Sequence, residues 1–239
     1  FFSSFQFGTT MFNTLKISLY SIVVGFPLPI ILAIISNQLR VGKFRKIFQV
    51  TTYLPHFIST MVMCGMIILF LSPTSGLLAN VFKSIGITIP DFLSKPSHFA
   101  GVYVWSDVWQ HIGWDSIIYL AALSAIDPTY YEAATMDGAS RLQKIRHIEL
   151  PLLLPTAMIL LILRAGSLLS VGFEKVLLLQ NPLNLAGSEI ISTYVYKVGM
   201  VNFQYSYSTA IGLFNTVVNL IILLSVNWFS KRYTRTGLF

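Results

Sequence analysis

The stretch Ile126-Asp127-Pro128-Thr129-Tyr130-Tyr131-Glu132-Ala133-Ala134-Thr135-Met136-Asp137-Gly138-Ala139-Ser140 decides how the rest of the chain is read. Asp127 is an N-cap residue type, and Pro128 suits the first helical position, whose N–H has no partner inside the helix. Gly138 suits the left-handed conformation that ends a helix. The spacing predicts a short helix of about ten residues. Ser140 then caps a second helix, in which Leu142, Ile145, Ile148 and Glu149 run to Pro151. The pair is a helix–turn–helix elbow, too polar to enter a bilayer. Ala133 and Ala134 leave one side of its first helix flat enough for close approach by another protein.

On both sides of the elbow the chain turns apolar. Of its 239 residues 54% are hydrophobic, 14% aromatic and only 10% charged, and the mean hydropathy is +0.70. Soluble domains carry about 25% charged residues, so the composition is that of a polytopic membrane protein. It excludes a disordered chain, a collagen and a disulfide-rich module. The single cysteine, Cys64, lies in an apolar run and has no internal partner for a disulfide. Stretches 11–38, 52–71, 99–126, 151–171 and 208–229 are long enough to cross a bilayer. Backbone groups in lipid must be satisfied within each span, so an all-α bundle of five spans in one domain, 1–239, is expected. Barrel strands alternate apolar and polar residues over about ten positions, and these runs do not.

The net charge of +7 is distributed by loop. Arg40, Lys43, Arg45 and Lys46 follow the first stretch, Arg141, Lys144 and Arg146 follow the third, and Lys231, Arg232 and Arg235 follow the fifth. Lys83, Lys95, Lys175 and Lys197 lie in the alternate segments. The positive-inside rule makes the first set, the elbow and the C-terminus cytoplasmic. No basic run interleaves with exposed aromatics, so nucleic acid is not an expected partner. Five spans put Phe1 outside, yet residues 1–10 have neither a basic n-region nor a small-residue cleavage site. The expectation is a six-span protein whose first helix precedes this sequence.

The elbow continues as Glu132-Ala133-Ala134, three residues, Gly138, nine residues, Ile148, one residue, then Leu150-Pro151. This string resembles the EAA loop of the membrane subunits of binding-protein-dependent ABC importers, and matches it at the key positions. The likeness extends to Thr51-Thr52-Tyr53-Leu54-Pro55, to Ile117-Ile118-Tyr119-Leu120-Ala121-Ala122-Leu123 and to Ile211-Gly212-Leu213-Phe214. Within that superfamily the chain looks most like carbohydrate permeases that take up oligosaccharides from complex polysaccharides. The resemblance implies the type I importer permease fold, with six helices and the loop between the fourth and fifth. It implies that 129–137 is the coupling helix and that Tyr131, Glu132, Ala133, Ala134, Met136, Asp137, Gly138 and Ala139 contact a cytoplasmic ATPase subunit. Glu132 would meet an Arg or Lys there, and Asp137 and Gly138 would fix the turn. The implied partners are a second permease forming a heterodimer, two ATPase subunits and an extracytoplasmic solute-binding protein, in a bacterial cytoplasmic membrane. This chain has no Gly-x4-Gly-Lys-Ser/Thr loop. It is expected to bind no cofactor, with ATP and Mg held on the ATPase subunits.

Ionisable residues inside spans face cavities or partners. At 100° per residue, Asp107, Gln110, His111 and Trp114 share one face, with Trp105 and Trp109 opposite. An indole beside hydrogen-bonding groups suits a sugar ring, while interfacial solvation and an aromatic belt are the competing account. Asp107, His111 and Asp115 also follow i, i+4, i+8 spacing, but without further His or Cys nearby no metal is assigned. Arg164 is about 20 Å in from Pro151 and Asp107 about 12 Å in from Phe99, similar depths in a core of about 30 Å, which predicts an Arg164–Asp107 ion pair. Asn215 and Asn219 lie in a stripe with Ser208 and Gly212 that lines either a solute path or a packing seam. The substrate-path candidates are therefore Asp107, Gln110, His111, Trp114, Arg164, Asn215 and Asn219. No Ser-His-Asp, Cys-His or paired-carboxylate arrangement reads as catalytic. An ABC permease for an oligosaccharide leads, ahead of the same machinery for an amino acid or phosphate ester and of an ion-coupled secondary transporter.

Overall fold

The computed structural model describes residues 5–39, 42–74, 76–86, 90–234 and 237, and among them the chain forms helices and no strand. The first apolar stretch is α1 (Phe5–Gly25) followed by α2 (Pro27–Gln38). Pro27 and Pro29 contribute no N–H, but Phe26 N–H still reaches Ile22 O at 3.1 Å, so the two run on as one rod, Gln6–Gln38. The rod starts earlier than the expected 11.

The structure divides the expected span 52–71. Thr52 belongs to α3 (Lys43–Tyr53), a 3-10 turn follows at Leu54–Phe57, and α4 (Thr60–Leu71) leaves at 96° to the preceding segment. Pro55 has no N–H to carry the α-helical ladder on, Leu54 before it stays helical, and the chain turns at Ile58 (φ −73°, ψ 126°) and Ser59 (φ −64°, ψ 150°), both extended. Ser59 then caps the new helix, accepting from Val62 N–H at 3.4 Å. With 12 residues α4 is about 18 Å long, short of a bilayer core.

After α5 (Leu77–Ser84) comes α6 (Pro96–Ser124), the centre of the bundle, with α1 and α2 along one flank and α9 (Leu150–Gly166) along another. The elbow is α7 (Pro128–Met136) and α8 (Arg141–Lys144), joined to α9 by a π-helical turn, Ile145–Glu149. The short helices α10 (Phe173–Leu179), α11 (Leu185–Ser188) and α12 (Ile191–Tyr196) and a second π turn, Lys197–Val201, form a folded segment before α13 (Tyr205–Thr234), which packs on α9. Gln6–Gln38, Arg141–Gly166 and Tyr205–Arg232 are long and apolar enough to cross a membrane. At 29 residues α6 is also long enough, about 43 Å, but more polar.

One core cluster joins Ile17, Met63, Ile67, Phe99, Val104, Val176 and Ile190, and another joins Ala33, Tyr119, Leu123, Leu153 and Ala157. The outward faces of the helices carry apolar side chains such as Val23, Leu69, Leu220 and Trp228, each more than half exposed. That surface suits lipid or a neighbouring helix rather than water.

Candidate functional site

At one end of the bundle the elbow is built almost entirely from local signals. Asp127 Oδ1 accepts from Thr129 N–H at 2.9 Å, and this bond with the Thr129 hydroxyl holds the Asp127 carboxyl below the usual range. The helix ends in a Schellman motif: Gly138 has φ +75°, its N–H bonds Thr135 O at 3.1 Å, and Ala139 N–H bonds Ala134 O at 2.8 Å. Ser140 and Gln143 form a reciprocal capping box, with Ser140 N–H donating to Gln143 Oε1 at 2.7 Å. Glu132, Ala133, Met136, Asp137 and Gly138 are exposed, Met136 at 88%, while Tyr131, Ala134 and Ala139 are half-buried. Glu132 has no hydrogen bond or ion pair among the described residues.

Tyr131 turns the other way. Its hydroxyl donates to Glu149 Oε1 at 3.3 Å, and burial together with that carboxylate pushes the phenol up to about 12. Glu149 is fully buried, and the same oxygen accepts from Asn37 Nδ2 at 3.1 Å and Gln38 Nε2 at 2.8 Å.

Within the bundle, α1, α6 and α9 enclose a polar seam. Cavities of about 270 Å³ and 160 Å³ both touch Arg164, the first also lined by Asp115 and the second by Asp107. The expected Arg164–Asp107 pair is not formed. Arg164 pairs with Asp115, and Asp107 pairs with Lys175 Nζ at 3.3 Å and with His111 Nδ1 at 3.4 Å. Asp115 lies eight residues along α6 from Asp107, and Lys175 arrives on α10 to take the place assigned to Arg164. Its Nζ also sits 5.1 Å from the Tyr103 ring centroid.

The other candidates separate. Trp114 is 44% exposed, and His56 stacks on its face at 4.3 Å between centroids, with His111 5.3 Å from His56. Gln110 is buried and donates to Ile58 O at 2.7 Å, bracing the break between α3 and α4 rather than lining the seam. Gly113 permits the same contact: a Cβ there would meet Thr52 O at 2.0 Å. Asn219 accepts from Leu169 N–H at 3.0 Å and donates to Ser170 Oγ at 3.0 Å, which makes it a packing residue at the end of α9. Asn215 lines a separate cavity of about 420 Å³, its Oδ1 buried without a partner. Trp105 and Trp109 line a larger cavity, about 770 Å³, on the other face of α6.

Sequence reasoning gave no role to His56, Lys175 or Glu149. Pro55 inside an apolar run was the available signal for the break that carries His56. A lone carboxylate directly before Leu150-Pro151-Leu152-Leu153-Leu154 was the signal for Glu149. Nothing local marks Lys175.

The fold and these two sites define a polytopic, all-helical membrane protein of the transport class. A family model described as binding-protein-dependent transport system inner membrane component matches residues 25–235, and the chain belongs to that family: it is a permease subunit. It is 38% identical to Protein LplB of Bacillus subtilis over 239 residues, all of this chain and 75% of that one. It is 39% identical over 227 residues to the polygalacturonan/rhamnogalacturonan transport system permease protein YteP of the same species, covering 95% and 71% of the two chains. A chain of a bacterial alginate ABC transporter, crystallised with an alginate pentasaccharide-bound periplasmic protein, superposes with a TM-score of 0.96 at 43% identity, covering 99% of this chain and 82% of that one. An amino acid ABC transporter shares the fold at a TM-score of 0.55 and 16% identity, covering 92% and 90%.

Proposed function

We propose that this permease forms half of the membrane pathway of an ATP-driven importer that carries an oligosaccharide delivered by an extracytoplasmic binding protein. The observation that carries the reading is the likeness to the alginate transporter chain, at 43% identity over nearly the whole length. A second permease completes the pathway. Two ATPase subunits bind ATP and Mg beneath it and seat α7, with Glu132 meeting a basic residue in their cleft. The elbow end and the C-terminus face the cytoplasm. Energy enters only through the partners, so the bundle acts as a two-state element biased by nucleotide at the ATPase and by the loaded binding protein. In this reading Trp114, His111, Asp107 and Arg164 line the substrate path, together with the cavity at Asn215.

The complete complex in nanodiscs provides the test. ATP hydrolysis should rise several-fold when binding protein loaded with a saccharide is added, and a panel of acidic and neutral oligosaccharides identifies which. Stimulation by no saccharide overturns the substrate class. Glu132→Lys should abolish ATPase association while leaving the permease in the membrane; unchanged transport refutes the contact.

A further inference from the structure

Glu149 is a fully buried carboxylate at the end of the bundle that carries the elbow, and it sits there without a counter-ion among the described residues. Its position follows from the backbone. Pro151 has no N–H and its ring crowds the carbonyl four residues back. The chain widens just ahead of it into the π turn Ile145–Glu149, with Leu150 N–H bonding Ile145 O. Such wide turns recur at functional positions in helices. Here the turn joins the elbow to α9 and carries Glu149 inward.

The donors on Glu149 come from different elements. Asn37 and Gln38 close the last turn of α2, the cytoplasmic end of the long first rod. Tyr131 belongs to α7, one residue before Glu132. All three converge on Oε1, while Oε2 is buried with no partner. This carboxylate is a single acceptor shared by two elements and mounted on the stem of a third, in a buried site where hydrogen bonds are stronger than in water.

We infer that Glu149 is the joint through which displacement of the coupling helix is passed to the first membrane-spanning rod: Tyr131, Glu149 and the Asn37–Gln38 pair move as one body when the ATPase subunits close. The inference rests on the coupling reading of α7 given above. Glu149 touches neither solute nor nucleotide; it is a positioning residue.

The test uses the whole complex, reconstituted in proteoliposomes with its partner permease, ATPase subunits and binding protein. Solute moved per ATP hydrolysed is measured for the natural chain, Glu149→Leu, Glu149→Gln and Tyr131→Phe. Glu149→Leu removes the acceptor and should lower that ratio at least tenfold. Tyr131→Phe removes one donor with little change in shape and should lower it several-fold. Glu149→Gln keeps an acceptor at Oε1 and should restore it to within about threefold. A spin-label distance between Thr129 on α7 and Ile35 on α2, both exposed, gives a readout that mere stability does not move. It should stay constant between nucleotide-free and ATP-bound natural complexes and change in Tyr131→Phe. If Glu149→Leu does not assemble, Tyr131→Phe alone decides. An unchanged ratio and an unchanged distance in Tyr131→Phe overturn the joint. A natural complex whose ATPase ignores the loaded binding protein would instead overturn the coupling reading on which the joint rests.

Discussion

Lys175 places its ammonium where only 5% of the side chain meets solvent, against 39% for its partner Asp107. That asymmetry sets what each substitution costs. Without Asp107 the ammonium keeps, among the described residues, the face of Tyr103, 5.1 Å away. Without Lys175 the Asp107 carboxylate still has His111 at 3.4 Å and its own solvent access. Breaking a fully buried pair from one side costs about 3–5 kcal/mol, and partial access lowers that figure here. Asp107→Asn should therefore destabilise the purified complex more than Lys175→Met does, read as the shift in thermal unfolding. Equal shifts would mean that solvent reaches the ammonium as freely as the carboxylate. Depth along two long helices matches Arg164 to Asp107, whereas the true partner of Asp107 comes from a seven-residue helix in a segment with no periodicity to read. A difference of two helical turns, about 12 Å, also separates Asp107 from Asp115, and the long Arg164 side chain settles on the latter.

At the scale of elements, the elbow was legible because its signals act over three or four residues. Asp127, Pro128, Gly138 and Ser140 each satisfy or remove a specific backbone group at a helix end, and the structure shows each doing so. The broken span was less legible, since hydropathy averages across Pro55 and sees one apolar run. Tertiary contacts, Gln110 on Ile58 O and Gly113 against Thr52, brace the break, and these are not local in sequence. The same locality makes the elbow testable. Gly138 has φ +75°, and nothing lies within 4 Å of where a Cβ would stand, so the effect of a side chain there is conformational alone. Forcing Ala into that region costs roughly 1–2 kcal/mol, and Asn tolerates it better. If the Schellman turn fixes the pose of α7, Gly138→Ala should weaken association with the ATPase subunits about fivefold at 1 kcal/mol, and Gly138→Asn should weaken it less. Affinities equal to that of the natural chain in both variants would show that the partner, not the turn, sets the pose.

At the scale of the molecule, hydrogen bonds sort the chain into two ends without reference to charge. One end gathers α2, α7 and the start of α9 around Glu149. The other gathers α1 and the segment before α13: Asn13 Nδ2 donates to Ala186 O and Glu189 O at 3.0 Å, and Ile191 N–H donates to Thr14 Oγ1 at 3.0 Å. The basic residues of α3 and α8 lie in the segments that follow α2 and α7 at the first end. The second holds Lys197, already neutralised by Glu189 at 2.6 Å. The larger number of basic residues in the segments at the first end is what the positive-inside rule reads, and it supports the proposed orientation with that end in the cytoplasm. Cys64 is 2% exposed, so the natural chain serves as an unlabelled control for sided thiol labelling. Met136 is 88% exposed on α7, and Phe203 is 72% exposed just before α13. In spheroplasts expressing the permease without its ATPase subunits, a membrane-impermeant maleimide should modify Phe203→Cys directly and Met136→Cys only after lysis. The reverse pattern would invert the orientation, and labelling of both from outside would take the elbow off the cytoplasmic face and with it the proposed route by which ATP hydrolysis reaches the bundle.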